Sequence, residues 1–492
     1  MFAHPRSLAL LLSAGIVTGC AVGPDYRSPE IALSSSFLGQ EAVDHRQVRQ
    51  QADLTIWWAA FDDSLLTHFI SLALEQNLDI AQAAARVAQS RASLRYADAA
   101  LLPAANVSTG AARVYQSVET PLGQLLNATP GFDRYGSYHE ANLGASWEID
   151  VFGGLRRGQE AARAAYEASE AGAVATRLAV AAQTADVYVT VRGLQARIAI
   201  ARQQVETRRQ LLAMVRLQYE KGIAAELQMN QAAGSLTQAE AQIPVLETGL
   251  DAAMNALDVL LGVQPGTYRA ELAAATPIPV APGLAANATP ADLMRRRPDL
   301  IAAERRLAAA NARIGVAIAE YYPKFSLAGL LGSATAIASG NLFTDGASQA
   351  QGILGLRWRL FDFGRVDAQI AAARGQEAEA LAAYRLAVLR ATEDVENAFS
   401  ALVKREAQVG ILTRGESSFA RARENSFAAY QGGVVSLIEV LDADGNLLQA
   451  RDAKAQAQTE AARAAIASFR ALGGGWDALH ANSERLSTND YR

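Results

Sequence analysis

The 492-residue chain carries 45 Lys+Arg against 50 Asp+Glu, for a formal net charge of −5, and is 50% hydrophobic and 19% charged. That balance excludes a disordered or collagen-like polymer and, with no basic block, argues against a nucleic-acid binder. One cysteine, Cys20, and five scattered histidines leave no disulfide framework or Cys-rich metal site, and nothing in the sequence calls for a metal or other cofactor.

Residues 1–19 read as an export signal: a basic start holding Arg6, an apolar run from Leu8 to Val17, then small residues. The run is too short to span a bilayer. Val17-Thr18-Gly19-Cys20 is similar to a bacterial lipobox, which makes Cys20 the predicted diacylated first residue of an exported, tethered chain. Residues 20–60 then form an N-terminal anchor and extended segment. A first structural repeat is expected over 61–264, a Pro-rich linker over 265–298, a second repeat over 299–476 and a polar tail over 477–492.

Duplication is read from matches in order. Tyr219-Glu-Lys-Gly222, followed by Leu227 and Leu236, recurs 211 residues later as Tyr430-Gln-Gly-Gly433, then Ile438 and Leu447. Val151-Phe152 is matched to Leu360-Phe361, an offset of 209, and Leu102-Pro103 to Tyr322-Pro323. Each repeat opens with an Ala-rich helical stretch stopped at a proline, Pro103 or Pro323. Two segments of period-two patterning follow, expected as strands at about 104–116 and 135–150, and at about 325–336 and 351–361.

Along 135–150 and 352–360 one face is apolar, while the other carries Glu140, Glu148, Asp150, Arg357 and Arg359. That alternation suits a barrel wall with lipid outside and these charges in the lumen. Four strands cannot close a barrel, and an open edge is not tolerated in lipid, so strands must be pooled between copies of the chain. The physics gives an oligomer and leaves its number open.

Next comes a very long helical run in each repeat. Leu178, Ala182, Ala185, Val189, Ala196 and Ile200 keep three- and four-residue spacing, as do Leu381, Tyr384, Val388, Ala391, Val395, Ala398 and Leu402. Such stripes predict amphipathic helices packed in coiled-coil fashion. Gly222 and Gly433 are the expected turns into the returning helices. Pro244 lies within the first returning helix, where it should introduce a kink, and its counterpart in the second is Ala455.

The start Gly19-Cys-Ala-Val-Gly-Pro-Asp-Tyr26 and Trp57-Trp58 with Phe61, Asp63, Leu65 and Leu66 resemble outer-membrane efflux lipoproteins of the TolC-like superfamily, NodT type. So do the stretch Arg296–Pro323 and Trp358-Arg-Leu-Phe361 with Gly364, and the resemblance covers nearly all of the mature chain. It implies an α+β membrane protein in which four strands per chain join a trimeric twelve-stranded barrel and long helices form a periplasmic α-helical barrel. The implied role is the exit duct of a tripartite efflux system, lipid-anchored in the outer membrane, working with a periplasmic adaptor and an inner-membrane transporter of the resistance–nodulation–division type. The resemblance also implies that the Gly222 and Gly433 hairpins form the periplasmic tip and contact the adaptor. It places a pore constriction at Ile438 and Asp442, with Asp444 beside them. Gly445 stands where some relatives carry an arginine, so a latch built on that arginine is not expected, and Gln231 matches Asp442 in the first repeat.

The same architecture would serve as the outer component of a type I protein secretion system, and a non-conducting structural lipoprotein with long helices is a further alternative. An enzyme is not expected: Walker A, His-Glu-x-x-His and Gly-x-Ser-x-Gly motifs are all missing from the sequence.

Overall fold

The computed structural model describes residues 21–46, 52–284 and 289–477, which divide into two units. The first comprises residues 21–29 with Ala88–Ala168 and Glu304–Ala382; the second holds the remaining described residues. In chain order the main elements are α1 (Ser64–Gln76), α2 (Leu78–Ala99), β1 (Ala104–Tyr115), β2 (Tyr135–Ile149), α3 (Gly154–Glu220), α4 (Glu226–Glu240) and α5 (Gln242–Leu260). The second repeat supplies α6 (Pro298–Ala319), β3 (Lys324–Thr335), β4 (Ser348–Arg357), α7 (Arg365–Gln431) and α8 (Leu437–Ala471). No helix among the described residues is long and apolar enough to cross a membrane.

In the first unit the four strands form one antiparallel sheet in the order β1-β2-β3-β4, so each strand pairs with its sequence neighbour and β1 and β4 remain as edges. β4 ends at Arg357 rather than near residue 361. From Trp358 onward the chain turns: the Trp358 indole N–H donates to the Tyr321 carbonyl at 3.0 Å, and Phe363 takes a positive φ of 53°.

α3 and α7 are each 67 residues long, roughly 100 Å at 1.5 Å per residue. In the second unit the stripe Tyr384, Val388, Ala391, Val395, Ala398 and Leu402 is buried throughout, as are Leu178, Ala182, Ala185 and Val189. Ala196 and Ile200, assigned to the same stripe from spacing, are only half-buried. Small residues let the helix backbones come close, which is why alanine dominates this core.

The duplication is visible in individual bonds. The Trp147 indole donates to the Leu101 carbonyl at 2.9 Å just as Trp358 does to Tyr321. Asn77 Nδ2 donates to the carbonyl of Leu260 and Arg297 Nη1 to that of Ala471, each tying the start of one helix to the end of another. These contacts correct one sequence match. Trp147 and Trp358, the positive-φ Gly153 and Gly364, and the starts of α3 and α7 all lie 211 residues apart, so Phe152 corresponds to Phe363 and not to Phe361.

α4 and α5 replace the single returning helix of the second repeat. The break falls at Ala241, just before Pro244, which has no N–H to continue the ladder. α8 runs unbroken through Ala455.

Candidate functional site

In the sheet of the first unit, the pairing register determines which side chains share a face. Val107, Leu143 and Leu331 line up across three strands, as do Trp147, Leu327 and Leu354, and Ile149, Phe325 and Leu356. Val107, Leu143, Leu327, Leu331, Leu354 and Leu356 are all exposed, at 47–74%. So broad an apolar face is not left to water in a soluble chain. On the opposite face Glu140 accepts hydrogen bonds from the Tyr138 hydroxyl (3.0 Å) and Asn142 Nδ2 (3.1 Å), and Asn142 Oδ1 accepts from Gln349 Nε2 at 2.7 Å. Glu148 lies on this face, and so do Lys324 and Arg357, which are register partners.

Two residues assigned to this face from alternation alone sit elsewhere. Asp150 lies past the end of β2, where its carboxylate accepts from the Leu155 and Arg156 amides and caps α3. A carboxylate is favoured there by the unpaired amides and the positive end of the helix dipole. Arg359 lies past β4 and reaches Glu320 at 3.6 Å. Both positions are junctions, where alternation no longer tells which way a side chain points.

Cys20 lies outside the described residues. The segment that follows it is tightly held: the Val22 amide donates to the Phe152 carbonyl, and Arg157 reaches the carbonyls of Val22 and Gly23 and the Asp25 carboxylate at 2.7 Å. Gly153, at φ 79°, packs on Ala21 so closely that a Cβ would come within 2.5 Å of the Ala21 methyl. Gly153→Ala is therefore expected to cost about 1–3 kcal/mol in backbone strain and contact and to release residues 21–26. Faster proteolysis at Arg27 in otherwise folded protein is the measurement.

In the second unit, α3 and α7 end in the same way. Gly222 and Gly433 take φ of 71° and 74°. Each donates to the carbonyl three residues back (Tyr219, Tyr430), and the next amide, Ile223 or Val434, donates five residues back (Gln218, Ala429). This is a Schellman cap, whose left-handed position glycine occupies without penalty. The Tyr430 hydroxyl donates to Gln218 Oε1 at 2.7 Å, joining the two turns. Leu211, Val215, Ala224, Ala232, Leu437 and Val440 form the apolar core beneath them.

Along α8, Ile438 and Asp442 lie one turn apart and both are exposed, Ile438 by 49%. Asp444 is different: at 3% exposure it belongs to the interior of the chain and cannot line a pore. It accepts from Gln204 Nε2 and from Arg208 Nε (3.3 Å), with Arg423 Nε at 3.8 Å. Burial pushes its carboxyl above the usual range, and the two guanidinium groups pull back against that. Sequence reasoning missed Gln204, Arg208 and Arg423. Their only signal was their place on the two long helices, Gln204 and Arg208 at 240 and 236 residues from Asp444 and Arg423 at 21.

Residues 69–263 and 289–474 match the family described as Outer membrane efflux protein. Nodulation protein T of Rhizobium leguminosarum bv. viciae is 29% identical over 492 aligned residues, covering 98% of this chain and 96% of the relative. The pyoverdine export outer membrane protein OpmQ of Pseudomonas putida is 31% identical, covering 96% of this chain and 98% of its own. Among solved structures, the outer-membrane channel OprN is 30% identical, with a TM-score of 0.82 covering 93% of this chain and all of that one.

Proposed function

The chain belongs to the outer membrane efflux protein family and is an outer-membrane efflux channel; from that premise we propose that three copies close their sheets into one twelve-stranded barrel. The observation that carries this reading is the four-stranded sheet itself, with an exposed apolar face, a polar face and two unpaired edges. In lipid an edge must be paired, and another copy offers β4 to β1. The polar face, with Glu140, Glu148 and Arg357, then lines a water-filled lumen of mixed charge. The long helices extend into the periplasm as a conduit and meet an adaptor at the Gly222 and Gly433 hairpins. The energy for transport comes from an inner-membrane partner, and this chain conducts passively. Cys20 carries the lipid anchor, a reading supported by the firm attachment of Ala21 and Val22 beside the end of β2.

At the tip, three copies each of Ile438 and Asp442 narrow the closed pore, the apolar side chain by dewetting and the carboxylate by favouring cations. The test is ion conductance of purified protein in planar bilayers, beside an Ile438→Ala/Asp442→Ala variant. We expect a small, flickering current that becomes severalfold larger and less cation-selective in the variant. A large current unchanged by the substitutions would place the constriction elsewhere. Silence from well-inserted samples of both would overturn the conduit reading.

A further inference from the structure

At the far end of the first hairpin, where β1 leaves the sheet and β2 enters it, the membrane-facing side changes character. Tyr115 and Tyr135 are register partners on the same face as Leu143, and their rings lie 4.8 Å apart. Each is covered by an arginine from the opposite strand or its approach: Arg134 sits 4.2 Å over Tyr115, and Arg113 lies 5.7 Å from the centre of Tyr135. The Arg134 Nε also donates to the Gln116 carbonyl. No carboxylate pairs with either guanidinium in the salt bridges of the described residues. Arg113 shares one face of β1 with Val107 and Tyr115, so its charge lies on the apolar side of the sheet and not in the polar network around Glu140. The hairpin between β3 and β4 carries no arginine or lysine over residues 336–347.

A cation on a lipid-facing strand position costs little at the interface and several kcal/mol at mid-bilayer, so this pair belongs at headgroup depth. Tyrosines at the same level form the usual aromatic belt. Guanidinium groups stacked on aromatic rings keep their N–H edges free, and those edges match the geometry of phosphate oxygens. We propose that the Arg113–Tyr135 and Arg134–Tyr115 cluster binds the phosphate groups of a glycolipid in the outer leaflet. The inference rests on the reading given above that the strand hairpins face outward and the helices enter the periplasm.

The experiment uses the assembled, detergent-purified channel titrated with lipid A carrying both phosphates, with the same lipid dephosphorylated, and with inorganic phosphate, followed by native mass spectrometry. The phosphorylated lipid should bind roughly tenfold or more tightly than its dephosphorylated form, the gain expected from a few charge-assisted hydrogen bonds. Arg113→Gln/Arg134→Gln should remove that preference, and Arg113→Lys/Arg134→Lys should restore part of it while the assembly stays intact. Equal binding of both lipids, or a preference unchanged by the glutamine pair, overturns the proposal. Displacement of the lipid by inorganic phosphate at comparable concentration would identify a free-phosphate site and overturn it too. Ser117→Cys labelled on intact cells by a membrane-impermeant maleimide tests the outward orientation separately, so failure of the orientation is distinguishable from failure of the site.

Discussion

Asp444→Ala is expected to open the first turns of α8 by about 3–5 kcal/mol, because it leaves Gln204 and Arg208 buried without the oxygen to which both donate. Local opening governs amide exchange, so protection across residues 437–450 should fall by roughly two to four orders of magnitude. The converse is equally sharp. Replacing the network with apolar residues of similar size, Gln204→Leu with Arg208→Met and Asp444→Leu, should be close to neutral, since the cost of stripping water from the charges disappears with them. Loss of protection as large as in the single variant would mean that the pair itself, and not the stranded charge, holds the helix. The pH dependence follows from the raised carboxyl. A group whose folded-state pKa lies above its unfolded value stabilises most below the unfolded pKa, and that contribution fades as pH rises through the folded one. Exchange at the tip should therefore quicken from acid toward neutral pH, beyond the intrinsic chemical rate, and Asp444→Asn should flatten the trend.

Trp57→Ala should be about as damaging, at roughly 3–5 kcal/mol. Trp57 is 1% exposed, stacked on Phe469 with ring centres 5.3 Å apart and met edge-on by Trp58 and Phe61. The cluster fastens the short helical segment Leu54–Phe61 onto the last turns of α8. Its loss leaves a cavity that the surrounding rings cannot fill, and the half-life of the assembled channel at elevated temperature should shorten accordingly. Trp57→Phe keeps the stacking and should recover more than half of the effect. Equal half-lives for wild type and Trp57→Ala would show that this cluster does not limit unfolding.

Much of this was legible because the signals are periodic. Two-residue alternation gave the sheet its faces, and three-four spacing gave the buried stripe of α7. The turns at Gly222 and Gly433 were legible because only a left-handed position explains a glycine there. What failed to read out lies at junctions and across long separations. Asp150 and Arg359 sit one or two residues beyond a strand, where alternation has stopped but the sequence gives no mark of its stopping. Asp444 differs from Asp442 by two residues on a helix, which turns it by about 200° and moves it from solvent into the core. Whether that direction is inward depends on Arg208 and Gln204, which no local pattern connects to it. The mistaken pairing of Phe152 with Phe361 had a simpler cause: two phenylalanines stand two apart, and the tryptophans upstream decide between them.

The proline at position 244 has a mechanical consequence. A continuous helix resists bending along its whole length, whereas one interrupted at Ala241 bends at a single compliant joint. In a ring of three chains, six hairpins would then alternate between hinged and stiff struts. Any load that spreads the tip would be taken up as rotation in the three hinged members and transmitted almost undiminished by the other three, giving the aperture a built-in threefold pattern of compliance.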